Sequence, residues 1–557
     1  VRYRGPQTGE GWSWGPLIDT LRYAPGTENP YTGQDIVGQS FAPDGAPVKT
    51  YQNPKNFFVL GSTRTVGFSV TAGTERTNYV FSVNNLSQKG VIPLSSFERT
   101  SLRLNSEFKL TDKLSLMGSV NYVNSGGVRM QQGSNLSGIM LALTRSPITF
   151  DNSGGVDKPW SNPAAYLLPD GSQRSYRAGG IYDNPYFSVA RNQTRDNVDR
   201  IISFGQLKYE LTNYLSATYR LGIDYYSDVR RGGYDISSAA YPSGRTFEDK
   251  LNNADITSDL ILSFNKKFGD FEVVANGGHN FFDSQFGRVY SQGDGLTVPN
   301  FQSLSNASSY LAYQTNAWVR RYGIYADVNV GYKGRYYLNV TGRNDWTSTL
   351  TKGNNSFFYS SVGLSYLLNE DLKDLGVVPN DNILSFWKLK ASWAQVGRDA
   401  PPYSTYTVYG QPLVNDGYTN GIPFPYAGVN GLQSGTTGGS SQPQIGNPKL
   451  KPEQNTTIEI GTELAFFKKR ITLDFTYFNT TNKNLIVLAQ IASSTGYQYQ
   501  YVNTGRIETN GIEIAAGAVP IKAGDFEWQT NVNFTQFRNK VVELGPGLDN
   551  LFRNGFT

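Results

Sequence analysis

The sequence predicts an all-β chain, a large antiparallel transmembrane β-barrel with about sixteen strands in its 557 residues. Three observations predict it. The composition favours strands and turns: 36 Tyr and 31 Phe suit a pleated, half-buried surface, and 59 Gly with abundant Asn and Ser suit turns. Apolar and polar residues alternate with period two over long stretches, whereas helical periodicity is almost absent. Connections between the alternating runs are short and long in turn. Short ones therefore collect at one end of the strands and long ones at the other, the pattern of short periplasmic turns and long extracellular loops.

The runs pair off as hairpins. VGFSVTAGTERTNYVFSV (66–83) turns at AGTE. SLRLNSEFKL (101–110) and LSLMGSVNY (114–122) are joined through LTDKLS, and a near copy, LTNYLS (211–216), joins LKYEL (207–211) to SATYRLGID (216–224). Asp or Asn inside both connections suits local hydrogen bonding. Further hairpins span 259–278, turning near Gly269-Asp270, and 324–343, turning at Gly334. Others span 457–478, turning at Lys468-Lys469, and 511–534, turning near Gly524-Asp525. SVGLSY (361–366) and WKLKASW (387–393) form a looser one across LLNEDLKDLGVVPNDN, which has room for a helical turn. Each strand is expected to run about 9–11 residues, the length of a tilted membrane strand. The barrel is expected over 64–537, with long loops at 124–197, 227–255, 281–318, 397–455 and 481–506. Within the first loop, SGIMLALT (137–144) reads as a short helix packed on loops, being far below the ~18 residues of a spanning helix. A soluble sandwich mixes loop lengths at both ends, with turns every ~8–12 residues. Sixteen strands in one sheet also exceed what an open twisted sheet usually tolerates, and closure removes the edges.

The faces agree between hairpins. One set holds Leu102, Leu104, Leu207, Leu221, Val328, Val340, Ile458, Ile460, Leu473, Phe475, Ile512 and Ile514, read as lipid-facing. The opposite set holds Arg103, Glu107, Arg220, Asp327, Arg343, Glu459, Glu463, Asp474 and Glu513, read as facing a hydrated lumen. Tyr122, Tyr209, Tyr332, Tyr336 and Tyr477 fall near the ends of apolar rows, where interfacial girdles belong.

Composition argues against several function classes. There is no cysteine and a single histidine, His279, so disulfides are absent and a zinc or haem site built on Cys/His is nearly excluded. A Ser–His–Asp triad would have to use His279, which follows two glycines at a strand end without evident partners. No catalytic residue, metal site or cofactor is expected. The net charge of +5 comes without a concentrated basic run, which gives no footprint for nucleic acid. No apolar run approaches the ~20 residues of a transmembrane helix, but barrel strands alternate and escape that test.

Seven strings in order resemble the SusC/RagA family of TonB-dependent outer-membrane transporters of Bacteroidetes. They are NPKNFFVLG (53–61), TNYVFSVNNLSQKGVIP (77–93), SNLSGIMLALTRSPITFDNSGG (134–155), DNPYFSVARNQTRDNVDR (183–200), KLKASWAQVG (388–397), GNPKLKPEQNTTIEIG (446–461) and NTGRIETNGIEI (503–514). RNDWTSTL (343–350) departs from the family's usual R-x-D-G-S-S, with Trp346 at the customary glycine. The resemblance implies a 22-stranded barrel in the outer membrane, closed by an N-terminal plug. It also implies a TonB contact segment upstream and a SusD-like lipoprotein over the mouth that captures glycans, peptides or similar nutrients. GEGWSWGPLIDT (9–20) resembles a family loop, so 1–63 is expected to be extracellular and to follow a missing plug and first strands. Residues 538–557 are expected to enter the next loop, with the final strands missing. Loop aromatics Trp160, Tyr166, Tyr403, Tyr406 and Tyr409 are candidates to stack on substrate, against the plainer role of packing loops together. The competing readings are a passive porin or surface adhesin barrel, and a soluble β-rich binding protein.

Overall fold

The computed structural model describes residues 17–28, 35–38, 45–131, 138–176, 182–377, 383–407, 409–410, 413–414, 422–423, 433–434, 444–492, 497 and 499–544. Eight hairpins build one sheet. They are β1 Ser62–Gly73 with β2 Thr77–Lys89, and β3 Ser96–Lys109 with β4 Leu114–Arg129. Next come β5 Thr194–Glu210 with β6 Leu215–Tyr234, and β7 Arg245–Phe268 with β8 Phe271–Leu296. Then follow β9 Ala307–Tyr332 with β10 Tyr336–Thr347, and β11 Ser356–Leu367 with β12 Leu384–Arg398. The last two are β13 Glu453–Phe466 with β14 Ile471–Lys483, and β15 Arg506–Ala523 with β16 Phe526–Glu543. All sixteen form a single sheet in strict chain order, each strand antiparallel to the next. The eight hairpins expected from the sequence are these eight. Among the described residues no helix is long and apolar enough to cross a membrane.

The tight turns explain the register. Phe268 pairs with Phe271 and Ala523 with Phe526, which leaves two-residue loops whose first residues, Gly269 and Gly524, take φ of 59° and 58°. Glycine adopts that conformation at least cost. In the two near-copy turns it is threonine that closes the loop. Thr111 Oγ1 accepts from the Lys113 and Leu114 amides at 3.2 and 3.0 Å, and Thr212 Oγ1 accepts from the Tyr214 amide at 3.3 Å. The expected Asp and Asn bonds give way to these hydroxyl turns.

The strands are longer than expected, from 12 residues in β1 to 26 in β8 and β9. Pairing runs on into segments read from the sequence as loops. The 227–255 loop shrinks to 235–244, and the 281–318 loop to 297–306. β16 likewise continues to Glu543, into the segment expected to be loop from 538, while 545–557 lie outside the described residues. Beyond the apolar band polar residues appear on both faces of a strand. The alternation that marks a strand then disappears although its ladder continues.

Register carries one face through the whole sheet. Leu104 lies opposite Phe81 and Val120, and Leu207 opposite Leu116 and Tyr219. Val340 lies opposite Val328 and Val362, Ile460 opposite Ala391 and Tyr477, and Ile514 opposite Phe475 and Phe534. This face is left uncovered: Leu104 is 46% exposed, Ile460 59% and Val532 59%. A water-soluble protein rarely exposes so large a contiguous apolar surface.

Two aromatic bands bound this face. At the short-turn end two runs of ring contacts, Tyr214–Phe264–Phe268 and Phe271–Tyr332–Tyr336–Tyr366, follow the sheet edge, closest for Phe271–Tyr332 at 4.7 Å and Tyr336–Tyr366 at 4.8 Å. At the long-loop end Tyr322 stacks on Trp346 at 4.7 Å, and the Tyr122 hydroxyl donates to Asp199 at 2.6 Å. Tyr322 and Tyr332 lie ten residues apart on β9. At ~3.3 Å per residue and a tilt near 45° that separation is about 25 Å, the height of the apolar band of an outer-membrane barrel.

The largest buried apolar cluster lies outside the sheet. Helices α2 Ile139–Arg145 and α3 Pro185–Arg191, in the connection between β4 and β5, pack with α1 Asn53–Phe57, which precedes β1, and bring Phe57, Ile139, Leu143, Tyr186, Phe187 and Val189 together. The apolar string expected to pack as a short helix is α2. A fourth short helix, α4 Leu368–Asp374, occupies the loose turn between β11 and β12.

Candidate functional site

The other face of the sheet is lined mainly by polar and charged side chains. All nine residues of the predicted polar set share it, by the same register that holds the apolar set together. Arg103 Nε donates to Asn105 at 3.2 Å. Arg220 donates twice to Gln206 Oε1, at 2.9 and 2.6 Å. Asp327 accepts from Asn329 at 3.2 Å and Asn339 at 2.8 Å. Lys388 meets Glu463 at 3.0 Å, and Lys390 meets Asp474 at 2.8 Å. Glu107 faces Asn78 and Met117, Glu459 faces Ser392 and Phe478, and Glu513 faces Thr476 and Thr535. Opposite charges on neighbouring strands hold side chains upright against the wall. Such partly exposed pairs contribute little stability each, and their main effect is on placement.

Toward the long-loop end the wall gathers into a recess. Arg343 Nε donates to Asp345 at 2.8 Å, Arg343 also reaches Asn280 at 3.2 Å, and Tyr359 closes on Asp345. Arg321 holds Asp399 through two bonds of 2.7 and 2.9 Å, and the Thr347 hydroxyl completes that carboxylate at 2.7 Å. Arg398, Phe282 and Phe357 line the same recess. Of these only Arg343 was singled out from the sequence. The doublet Arg320-Arg321 and the string GRD (397–399) are its visible traces in the sequence, where strand alternation fades.

The five loop aromatics do not converge. Tyr166 is only 4% exposed, edge-on to Phe187 at 6.1 Å, and Trp160 packs half-buried on the same cluster. These two are packing residues, because the fully apolar loop cluster needs large rings to fill it. Tyr403 and Tyr406 remain open to solvent, at 40% and 63% exposure, with the Tyr403 hydroxyl accepting from the Trp318 amide at 3.1 Å. The Tyr409 side chain lies outside the described residues.

Two buried aspartates knit the loops into one crown. Asp183 Oδ1 accepts from Gln173 at 3.0 Å and the Ala239 amide at 2.6 Å, and Oδ2 from Asn192 at 2.9 Å and Ser238 at 2.8 Å. Asp235 accepts from Arg191 at 3.1 Å and the Asn300 amide at 2.7 Å. Segments 138–176, 182–193, 235–244 and 297–306 therefore share one polar core. Burial drives the Asp183 carboxyl up to about 6, outweighing its four neutral donors. An unfolded aspartate titrates near 3.9. Between those values the folded crown binds the proton better than the unfolded one, so its stability rises as pH falls from about 7 to 4. Protease cleavage of the crown on intact cells, normalised to a free peptide, is expected to slow from pH 7 to pH 5. Asp183→Asn is expected to flatten that dependence. Faster cleavage at the lower pH would refute the assignment.

Among the described residues no group of three or more His, Cys, Asp or Glu side chains is placed to hold a metal ion. Comparison with known proteins agrees with this architecture. Residues 140–555 match the model of the TonB dependent receptor-like, beta-barrel family. TonB-dependent receptor P26 of Formosa agariphila is 24% identical over 503 residues, 86% of this chain and 46% of that protein. TonB-dependent receptor P3 of the same organism is 22% identical over 511 residues, 89% of this chain and 47% of that protein. The chain thus spans about half the length of these relatives. The solved RagAB peptide transporter shares the fold at a TM-score of 0.72 and 18% identity, over 90% of this chain and 53% of that one. Its sixteen strands, its paired faces and the family match over three quarters of its length agree, and the chain belongs to the outer-membrane TonB-dependent receptor family as part of its β-barrel.

Proposed function

We propose that the chain is the barrel wall of an active importer. In this reading it takes up oligosaccharides, peptides or similar nutrients with TonB-derived energy and works with a SusD-like surface lipoprotein. The observation that carries the reading is the unbroken division of two faces across sixteen strands in a barrel of this family. The apolar face, from Leu102 to Ile514, meets lipid. The polar face, from Arg103 to Glu513, lines a hydrated lumen and offers hydrogen bonds to a plug and to a passing solute. Peptides are included because the similar RagAB is a peptide transporter. Tyr403 and Tyr406, with open rings, are the remaining loop aromatics for solute contact.

TonB reaches this wall only through a segment outside these residues, and coupling is the property to test. Uptake of the cognate nutrient by cells expressing the full-length protein is expected to stop when the proton-motive force is collapsed or TonB is deleted. A surface lipoprotein is expected to co-purify. Uptake that persists without energy would instead favour a passive porin, and surface binding without uptake an adhesin.

A further inference from the structure

The apolar face is not uniform. Near the short-turn end it carries a groove of about 550 Å³. That is within the ~300–1,000 Å³ usual for a ligand site. Its cause is a single small residue. In the cross-strand row running from Leu364 to Ile460 the residue between them is Ala391, paired directly with both. Two large side chains flank a methyl group, and a trough opens between them. Leu389 walls it, and the stacked rings of Tyr336 and Tyr366 close its short-turn end.

The closed end is charged with both signs. The Tyr336 and Tyr366 hydroxyls donate to Asp371 on α4 at 2.5 and 2.6 Å. Arg335 binds Asp371 and also reaches Asp374 at 2.5 Å through the same nitrogen, Nη1. The Asp374 side chain is 62% exposed. A guanidinium carries five donors, so its other nitrogens remain suited to an anion. An exposed carboxylate beside it suits a cation.

We propose that this groove seats one acyl chain of a zwitterionic phospholipid, its phosphate held by Arg335 and its ammonium by Asp374. The groove is continuous with the face that meets the membrane, and its tyrosine-closed end, with the charges of Arg335 and Asp374 beyond it, lies at the periplasmic aromatic band. Its occupant therefore comes from the periplasmic leaflet.

The test uses the full-length protein in phospholipid vesicles containing phosphatidylethanolamine with a photoreactive acyl chain. Labelling is expected to concentrate on peptides carrying residues 364, 389–391 and 460, several-fold above exposed apolar positions such as Leu102 and Leu104. Ala391→Phe fills the trough and is expected to remove the excess while leaving other labelling unchanged. Asp374→Ser lies outside the sheet and is expected to abolish the preference for phosphatidylethanolamine over phosphatidylglycerol. Even labelling of the whole apolar face, or an excess that survives Ala391→Phe in a barrel that still runs as folded on a gel, would overturn the site. Equal labelling by the two headgroups in the unmodified protein would overturn the headgroup assignment. Disulfide dimers of an Ala391→Cys protein in the cell envelope would replace the lipid with a second copy.

Discussion

Leu104→Arg is expected to destabilise the folded barrel by about 2–4 kcal/mol, the cost of a basic side chain near the bilayer midplane. Leu104 stands between Phe81 and Val120, with no polar side chain in its cross-strand pairs. It lies six residues from Leu110, where the short turn begins, which at strand tilt is about half the apolar band. A guanidinium there must snorkel past aromatic neighbours or carry water into hydrocarbon. Arg103→Leu is the control. It removes one exposed bond to Asn105 and is expected to cost under about 1 kcal/mol, because an exposed hydrogen bond contributes little net stability. Urea midpoints for refolding into phospholipid vesicles measure both. Equal costs would contradict the assignment of faces, since neighbouring residues on one strand differ only in which side they look toward.

That one-residue contrast is also why so much of the fold was legible. Period-two alternation at Leu102, Leu104 and Phe108 requires one wet and one oily side wherever the strand crosses a membrane. The turns announced themselves through glycine at 269 and 524 and through the LTDK and LTNY copies. Legibility ended where the membrane ended. Asp249, Arg288 and Asp294 are strand residues held by bidentate or single ion pairs, yet Asp249 sits between Glu248 and Lys250 and Asp294 between two glycines, which gives no strand signature. The recess around Arg321 and Asp399 sits in that zone, so Phe282, Arg398 and Asp399 fell within segments read as loop, while Arg343 alone carried a strand reading. Buried polar residues were hidden for a related reason. An aspartate such as Asp183 has the composition of a surface loop, and only the fold reveals that four donors converge on it. Tyr166 shows the reverse error: a loop aromatic invites a binding role until its ring is found inside the loop core.

Asn184 carries the second large effect. Its position at the head of DNPYFSV has the form of a helix start, with Asn at the cap and Pro185 in the first turn. The structure gives it more than capping. Its Oδ1 accepts from the Tyr186 amide at 2.9 Å, while Nδ2 donates to the Asn152, Ala165 and Arg174 carbonyls at 3.1 to 3.3 Å. The residue is fully buried, so no water replaces those bonds. Asn184→Ala removes the cap, at about 1 kcal/mol. It also strands buried carbonyls, at about 1–3 kcal/mol. The crown around α2 and α3 is expected to lose about 2–4 kcal/mol in all, while the barrel keeps its gel mobility because no sheet residue bonds to Asn184 through its side chain. Trypsin on intact cells should then cut the 138–193 segment many times faster, and nutrient uptake should fall if the crown positions the solute. Unchanged cleavage would mean that the neighbouring Asp183 network holds the loops alone. Faster cleavage with unchanged uptake would leave the crown a structural cover and move solute selection to the recess at Arg321 and Arg343.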